Sequence, residues 1–287
     1  MTEDPFIVHR NLLFTIAYEM LGSVADAEDV VQETWLRWAG VNQAEVESPR
    51  AYLVRMVTRQ ALNRLRTLAR RREDYVGEWL PEPLLTGPDV AEDVELAESV
   101  SIAMLTVLET LGPVERAVFV LREVFDTPYD EIALAVGKTP ATVRQIAKRA
   151  REHVAARRPR MVVDQAEQLR VVERFMAAVT TGDVQGLMNV LAPDVVAISD
   201  GGGVVPAARR PIVGAEKLAA VLPRFADFGP FSMHAVWLNG LPAIRVDLET
   251  GTVALNLVVA DGRITHLYAI NNPHKLGAME TIIPLER

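Results

Sequence analysis

Between residues 129 and 151 the apolar positions fall into two helical registers separated by a single glycine. Ile132, Ala133 and Val136 form the first stripe, and Val143, Ile146, Ala147 and Ala150, at i, i+3, i+4 and i+7, form the second. Gly137 supplies a turn that a side chain would resist, and Thr139-Pro140 restarts the helix as N-cap and first-turn proline. The pattern predicts a helix-turn-helix whose second helix turns Thr142, Arg144, Gln145, Lys148, Arg149 and Arg151 outward. Small polar residues followed by cations suit a helix that enters a major groove with its first turns and meets phosphate with its later ones. Taken alone, an ordinary helical hairpin with a solvated basic face fits these residues equally well.

Upstream, Leu12, Leu13, Ile16, Ala17 and Met20 predict a helix over residues 6–21 that stops at Gly22. A capping box at Ser23 to Asp26 opens a second, running to Trp38. It carries Ala27, Val30, Val31, Thr34, Trp35 and Trp38 on one side, with Asp26, Asp29, Gln32 and Glu33 on the other. A polar loop over residues 40–47 leads to Ser48-Pro49 and a long helix to about Arg72 that buries Leu53, Val57, Ala61, Leu65 and Leu68. On its exposed flank Arg55, Arg59, Asn63, Arg66 and Arg70 recur at near-helical spacing with almost no acidic residue among them, a stripe suited to a nucleic-acid backbone.

Periodicity breaks over residues 73–97, where Trp79-Leu-Pro-Glu-Pro83 and Gly87-Pro88 mark a linker. Trp79 reads either as a pinned anchor or as a residue packed on its own domain. Helical pattern resumes over residues 96–111 with Ile102, Leu105, Leu108 and Leu111 inward, passes Gly112-Pro113, and runs into the hairpin, so that residues 96–158 form a four-helix module. Beyond Asp164 the pattern is mixed. Helices are expected over 165–181, 184–191 and 215–228, a strand over 195–199, a glycine-rich break at Asp200-Gly-Gly-Gly203, and alternating strands between Phe231 and Ile270 with tight turns such as Asn239-Gly240 and Asp261-Gly262. This predicts an α+β cone or half-barrel. The expected domains are therefore 1–72, a linker at 73–95, 96–160 and 161–287.

At 287 residues the chain is long enough for two or three cores. It has no cysteine, which excludes disulfides and thiolate metal sites, and its five histidines lack ligand spacing, so neither metal nor cofactor is implied. The acidic N-terminus does not read as a signal peptide and no apolar run spans a bilayer, so a cytoplasmic protein without a membrane partner is expected. A net charge of -8 conceals two arginine-rich segments, 50–72 and 144–160, flanking an acidic one.

Ala25-Asp-Ala-Glu-Asp-Val-Val-Gln-Glu-Thr-Trp35, Pro49-Arg-Ala-Tyr-Leu-Val-Arg-Met-Val57, Leu121-Arg-Glu-Val-Phe125 and Tyr129-Asp-Glu-Ile-Ala133 stand in the order and spacing of a known family. The chain resembles bacterial extracytoplasmic-function (ECF) sigma factors over residues 6–158. The resemblance implies sigma region 2 followed by sigma region 4, with core RNA polymerase and promoter DNA as partners and no catalytic residue. It assigns Asp29, Gln32 and Glu33 to polymerase binding, Arg55, Arg59, Asn63 and Arg66 to the melted promoter strand, and loop 40–47 to a flipped base. It gives Thr142, Arg144, Gln145, Lys148 and Arg149 to the duplex upstream element and threads the acidic linker along the polymerase's RNA path.

The C-terminal half resembles a SnoaL-like domain of the NTF2-like superfamily. Together the halves are similar to the sigma-factor group that carries this domain as a fused extension. Trp79-Leu-Pro-Glu-Pro83, Asp200-Gly-Gly-Gly203 and Asn272-Pro-His-Lys-Leu276 carry that likeness, with His274 where the group usually has aspartate. It implies regulation within the chain, by contacts of the extension with the linker and the sigma regions through Trp79, Pro81, Asp200, Gly201, Asn272, Pro273 and Lys275. Two other readings of this half stay open. One is a sensor of an unidentified small ligand. The other is a cyclase or isomerase that uses Asp200, His234, His266 and Tyr268 as acid-base groups, with Arg245 and Asn256 holding an anion or carbonyl in the mouth of the cone.

Overall fold

The computed structural model describes residues 4–72, 75–160, 164–222 and 229–287. The start of the expected linker, the side chain of Arg70 and positions 223–228 of the helix expected over 215–228 lie outside the described residues. The chain forms two compact units, Met1–Asp74 with Met104–Arg158 and Pro284–Arg287, and Tyr75–Ala103 with Pro159–Ile283.

In the first unit, α1 (Pro5–Leu21) starts where the Asp4 carboxylate accepts the Phe6 amide at 2.8 Å and stops at Gly22 in the left-handed region. Ser23 caps α2 (Val24–Trp38) by accepting the Asp26 amide, and α3 (Pro49–Arg72) packs across both. The predicted inward side of α2 needs one correction. Ala27, Val30, Val31, Thr34 and Trp38 are buried, but Trp35 is 45% exposed, because it stands a full residue step off the stripe at i, i+3, i+4, i+7 and i+11.

Helix α7 (Pro113–Phe119) continues into a π-helical turn at Val120–Val124, then α8 (Tyr129–Val136) and α9 (Pro140–Arg157) form the helix-turn-helix. Gly137 takes φ 68° between them and Thr139 caps α9 by accepting the Thr142 amide. Helices α7 and α8 both pack on α3. Arg116 of α7 is buried: its Nε donates to the Glu19 carbonyl of α1 at 3.0 Å and its Nη1 pairs with Glu109.

The second unit is an α+β domain. Its sheet runs β2-β1-β6-β5-β4-β3, with β1 (Leu191–Asp200) parallel to β6 (Arg263–Ile270) and all other pairs antiparallel. The remaining strands are β2 (Ile212–Val213), β3 (Phe231–Leu238), β4 (Leu241–Leu248) and β5 (Gly251–Ala260). Asn239-Gly240 and Asp261-Gly262 both turn with positive φ at each residue, the geometry two-residue hairpins need. One sheet face packs on α10 (Gln165–Thr181), α11 (Val184–Val190) and α12 (Ala215–Val221) through Phe175, Leu187, Leu218, Leu255 and Leu257. The other face carries Leu238, Ala254, Val258, Tyr268 and Ile270, and it is covered by Leu80, Ile102, Ala103 and Met279.

That second face revises the expected boundaries. The segment read as linker forms two short helices, α4 (Pro88–Glu92) and α5 (Val94–Ser99), and Tyr75–Ala103 belongs to the C-terminal unit. The helix expected over 96–111 is broken into α5 and α6 (Ile102–Leu108). Ser99 and Ser101 hydroxyls bond back to the Leu96 and Glu98 carbonyls, and the Val100 carbonyl is claimed at 2.9 Å by Asn239. Local side-chain bonds of this kind compete with helix continuation. Among the described residues no helix is long and apolar enough to cross a membrane.

Candidate polymerase and promoter surfaces and the linker anchor

Asp29, Gln32 and Glu33 all lie exposed on the outer face of α2. Asp29 is 3.5 Å from Arg64 and Glu33 pairs with Arg37 at 2.7 Å, which leaves the surface acidic and polar beside the exposed Trp35 and Leu36. Arg55, Arg59 and Asn63 line one groove on α3 with Tyr52, Val41 and Arg37. The Arg55 guanidinium lies 4.9 Å from the Tyr52 ring centroid, and Arg66 reaches the Asn63 carboxamide at 3.3 Å. A flat aromatic ring beside cations is what a stacked, unpaired base requires. A second hollow, bounded by residues 45–48, Tyr52 and Arg55, is closed on its far side by Glu131 and Leu134 of α8. Arg59 donates to the Leu134 carbonyl at 2.8 Å, so the helix-turn-helix occupies one of the cations expected on the melted strand.

Along α9, Arg144, Gln145, Lys148 and Arg149 are exposed and Thr142 is half-buried, its hydroxyl 2.9 Å from that of the N-cap Thr139. Arg144 and Arg122 flank the Tyr129 ring, and the Lys148–Glu152 approach is loose at 3.9 Å. The cations of this face therefore remain available to an anionic partner.

In the C-terminal unit the residues attributed to regulation converge. Asp200, with no exposed surface, ends β1 and spends both oxygens: Oδ1 accepts from the Tyr75 hydroxyl at 2.6 Å and the Gly202 amide at 3.0 Å, Oδ2 from the Leu80 amide at 2.8 Å and Lys275 Nζ at 2.7 Å. Lys275 Nζ also donates to the Leu80 carbonyl at 2.6 Å and sits 4.1 Å from the Trp79 ring centroid and 4.9 Å from that of Tyr75. Asn272 donates to the Tyr75 hydroxyl at 2.9 Å. Gly201 is buried, and Gly202, at φ 61°, lies so close to Asn272 that a Cβ would strike the carboxamide. Burial first, then the bond to Asp200 and its charge, raise the Tyr75 pKa, which keeps it a phenol donor. Pro81 is buried in the segment that follows Leu80, whereas Pro273 and His274 are exposed. The aspartate-to-histidine departure at 274 thus lies at the rim, outside the buried bonds.

Trp79 is half-buried with its ring beside Lys275 in the C-terminal unit, and Tyr75 is a member of this cluster that sequence reasoning passed over. A second tie is made by Asn239, whose carboxamide accepts from the Leu84 amide at 3.0 Å while donating to the Val100 carbonyl. Its place in an Asn-Gly hairpin signalled only a turn. Arg116 was also missed, although its position one turn before the apolar Val120 put a charge on an inward stripe.

The acid-base candidates do not share a cavity enclosed by the helices. His234 is exposed, and Arg245 is held by Asp247 at 2.9 Å and Glu280 at 3.2 Å. Asp200 is consumed as described. His266 and Tyr268 stack at 6.2 Å and Tyr268 stands opposite Asn256, but all lie on the face that the segment around Ile102 covers. The helix-enclosed side holds the large apolar cluster, with a small hollow among Phe175, Val179, Leu222, Phe231, Met233, Val246 and Leu255. The expectation that these groups line the mouth of the cone is corrected: strand alternation turns them to the opposite face.

Sequence comparison matches the sigma-70 region 2 family over residues 6–71 and the sigma-70 region 4 family over residues 101–154. The ECF RNA polymerase sigma factor SigJ of Mycobacterium tuberculosis is 36% identical over 292 residues, covering 96% of this chain and 93% of the relative. This chain belongs to the ECF sigma factors. The probable ECF sigma factor SigI of the same species is 31% identical, with 93% and 92% covered. The crystal structure of M. tuberculosis SigJ superposes on this sigma factor with a TM-score of 0.78 at 32% identity, covering 95% of one chain and 97% of the other. The likeness runs through the α+β unit as well as the sigma regions, so that unit is part of the shared architecture. As an ECF sigma factor, the protein binds core RNA polymerase and promoter DNA.

Proposed function

We propose that this sigma factor is regulated in cis, by the C-terminal unit holding the segment that joins sigma regions 2 and 4. The observation that carries the reading is the Asp200 cluster. A fully buried carboxylate makes two of its four side-chain bonds to Tyr75 and Leu80, and its counter-ion Lys275 caps the Leu80 carbonyl. The chain enters sigma region 4 directly from this anchored segment, so gripping or releasing it changes the reach between the two promoter-binding regions. Asp29, Gln32 and Glu33 serve as the polymerase contact; Arg55, Arg59, Asn63 and Arg66 as the single-strand contact; Thr142, Arg144, Gln145, Lys148 and Arg149 as the duplex contact. The unit works as a binding module and not as an enzyme, because its acid-base candidates are bonded, exposed or on the covered face. Its place of work is the cytoplasm, where polymerase and promoter meet.

The test is transcription from a matched promoter with core polymerase, comparing the full chain with Asp200→Asn, Lys275→Met and the double variant. Removing one partner of a buried pair costs roughly 3–5 kcal/mol, so each single change should free the Tyr75–Ala103 segment, read as faster amide exchange there, and alter transcript yield several-fold. Freed exchange with unaltered yield would overturn the reading.

A further inference from the structure

Asn256 and Tyr268 face each other across the β5–β6 pair and line a small hollow of about 10 Å³ whose remaining wall comes largely from Ile102, Leu238, Leu241 and Val258. Asn256 is 8% exposed, and its Nδ2 has no hydrogen-bond partner among the described residues. Tyr268 is 3% exposed, and burial raises its pKa, so its hydroxyl stays a donor. An unmet buried amide donor costs about 1–3 kcal/mol, and a leucine of similar size would avoid that cost. The arrangement thus disfavours a purely packing role. Two donors thus line one hollow with mostly apolar walls, which suits an acceptor oxygen on an apolar body. No lysine, arginine or histidine among the described residues lines the cleft, so a carboxylate would enter it without a counter-charge.

We propose that the Asn256–Tyr268 cleft is a binding site for a small neutral carbonyl compound, held by its oxygen, whose entry displaces Ile102 and Ala103 from the sheet. The binding half stands on the cleft alone; its effect on transcription rests on the linker reading given above. Ile102 and Ala103 pack against the same face as Tyr268. A ligand larger than the present hollow therefore competes with the segment that precedes sigma region 4.

Acetophenone serves as the probe, with benzoate as its charged counterpart and ethylbenzene as the counterpart lacking an acceptor. In the isotope-labelled full chain, acetophenone should shift the Asn256 side-chain amide saturably, and both counterparts should bind at least roughly tenfold more weakly. Asn256→Leu and Tyr268→Phe should each lose about tenfold in affinity. Asn256→Leu should also fold and raise the midpoint of thermal unfolding, whereas a lowered midpoint would mark the amide as structural and overturn the site. Equal binding of ethylbenzene, undiminished binding by Asn256→Leu, or no saturable shift would do the same. Bound acetophenone should speed amide exchange at Ile102 and Ala103; saturation without that change would overturn the displacement. None of these readouts involves a promoter, so their failure is distinct from failure of the regulatory reading.

Discussion

Asp200 and Asn256 are buried polar side chains on one sheet face, and the chain treats them in opposite ways. Every acceptor direction of Asp200 is filled, two of them by the Tyr75 to Leu80 segment, whereas the Asn256 amide points into a cleft. A third polar member, His266, is half-buried against Tyr268, and burial lowers its pKa while the charge of Asp194 opposes the change. Its folded pKa lies below the unfolded value near 6.5. The folded state therefore holds its full advantage above about pH 6.5 and loses it as the pH falls through the folded value, since the unfolded chain takes up the proton more readily. The urea midpoint should decline on acidification below pH 6.5, and His266→Gln should flatten that decline; an equal slope in both proteins would contradict the assignment.

At the scale of elements, the helix-turn-helix is the stretch in which local rules and tertiary packing agree. The left-handed Gly137, the Thr139 cap and the buried Val143, Ile146, Ala147 and Ala150 all stand where apolar spacing put them. Its exposed cations carry a direct expectation. Arg144→Ala with Lys148→Ala should weaken binding to the upstream duplex and make the dependence of log affinity on log salt shallower by roughly one for each phosphate deprived of its cation. Filter binding across a salt series checks it, and unchanged affinity would remove α9 from the promoter surface. The helix expected over 96–111 shows where spacing alone fails. Its apolar period continues through Ser99 to Ser101, but two serine back-bonds and a carboxamide from residue 239 end the helix. A partner that distant in sequence leaves no trace in the local pattern.

For the whole molecule, composition and periodicity separated helical sigma regions from an α+β half, and the order of motifs identified the family. The division into compact units was not legible, because the segment read as a linker on account of its prolines and acids buries Leu80, Leu84 and Val90 in the C-terminal unit. Proline and charge report backbone restriction and solubility; they do not report which sheet face lacks a cover. The other face of the six-stranded sheet needed one, and Leu80 and Leu85 supply it together with Ile102, Ala103 and Met279.

The hairpin between β3 and β4 makes this docking chemically readable. An asparagine followed by glycine is prone to deamidation, in which the glycine nitrogen attacks the side-chain carbonyl, ammonia leaves, and water then opens the succinimide ring to aspartate or isoaspartate. Here the Gly240 amide is engaged by Thr86 Oγ1 at 3.0 Å, and both ends of the Asn239 carboxamide are tied to Leu84 and Val100. While the segment stays seated, the attacking nitrogen and its target are held apart from reaction, and each undocking exposes them. Aged protein should therefore accumulate the one-dalton gain at Asn239 more slowly than a peptide of the same sequence, and Lys275→Met should hasten it. The hairpin would then act as a cumulative clock of the time each molecule has spent released.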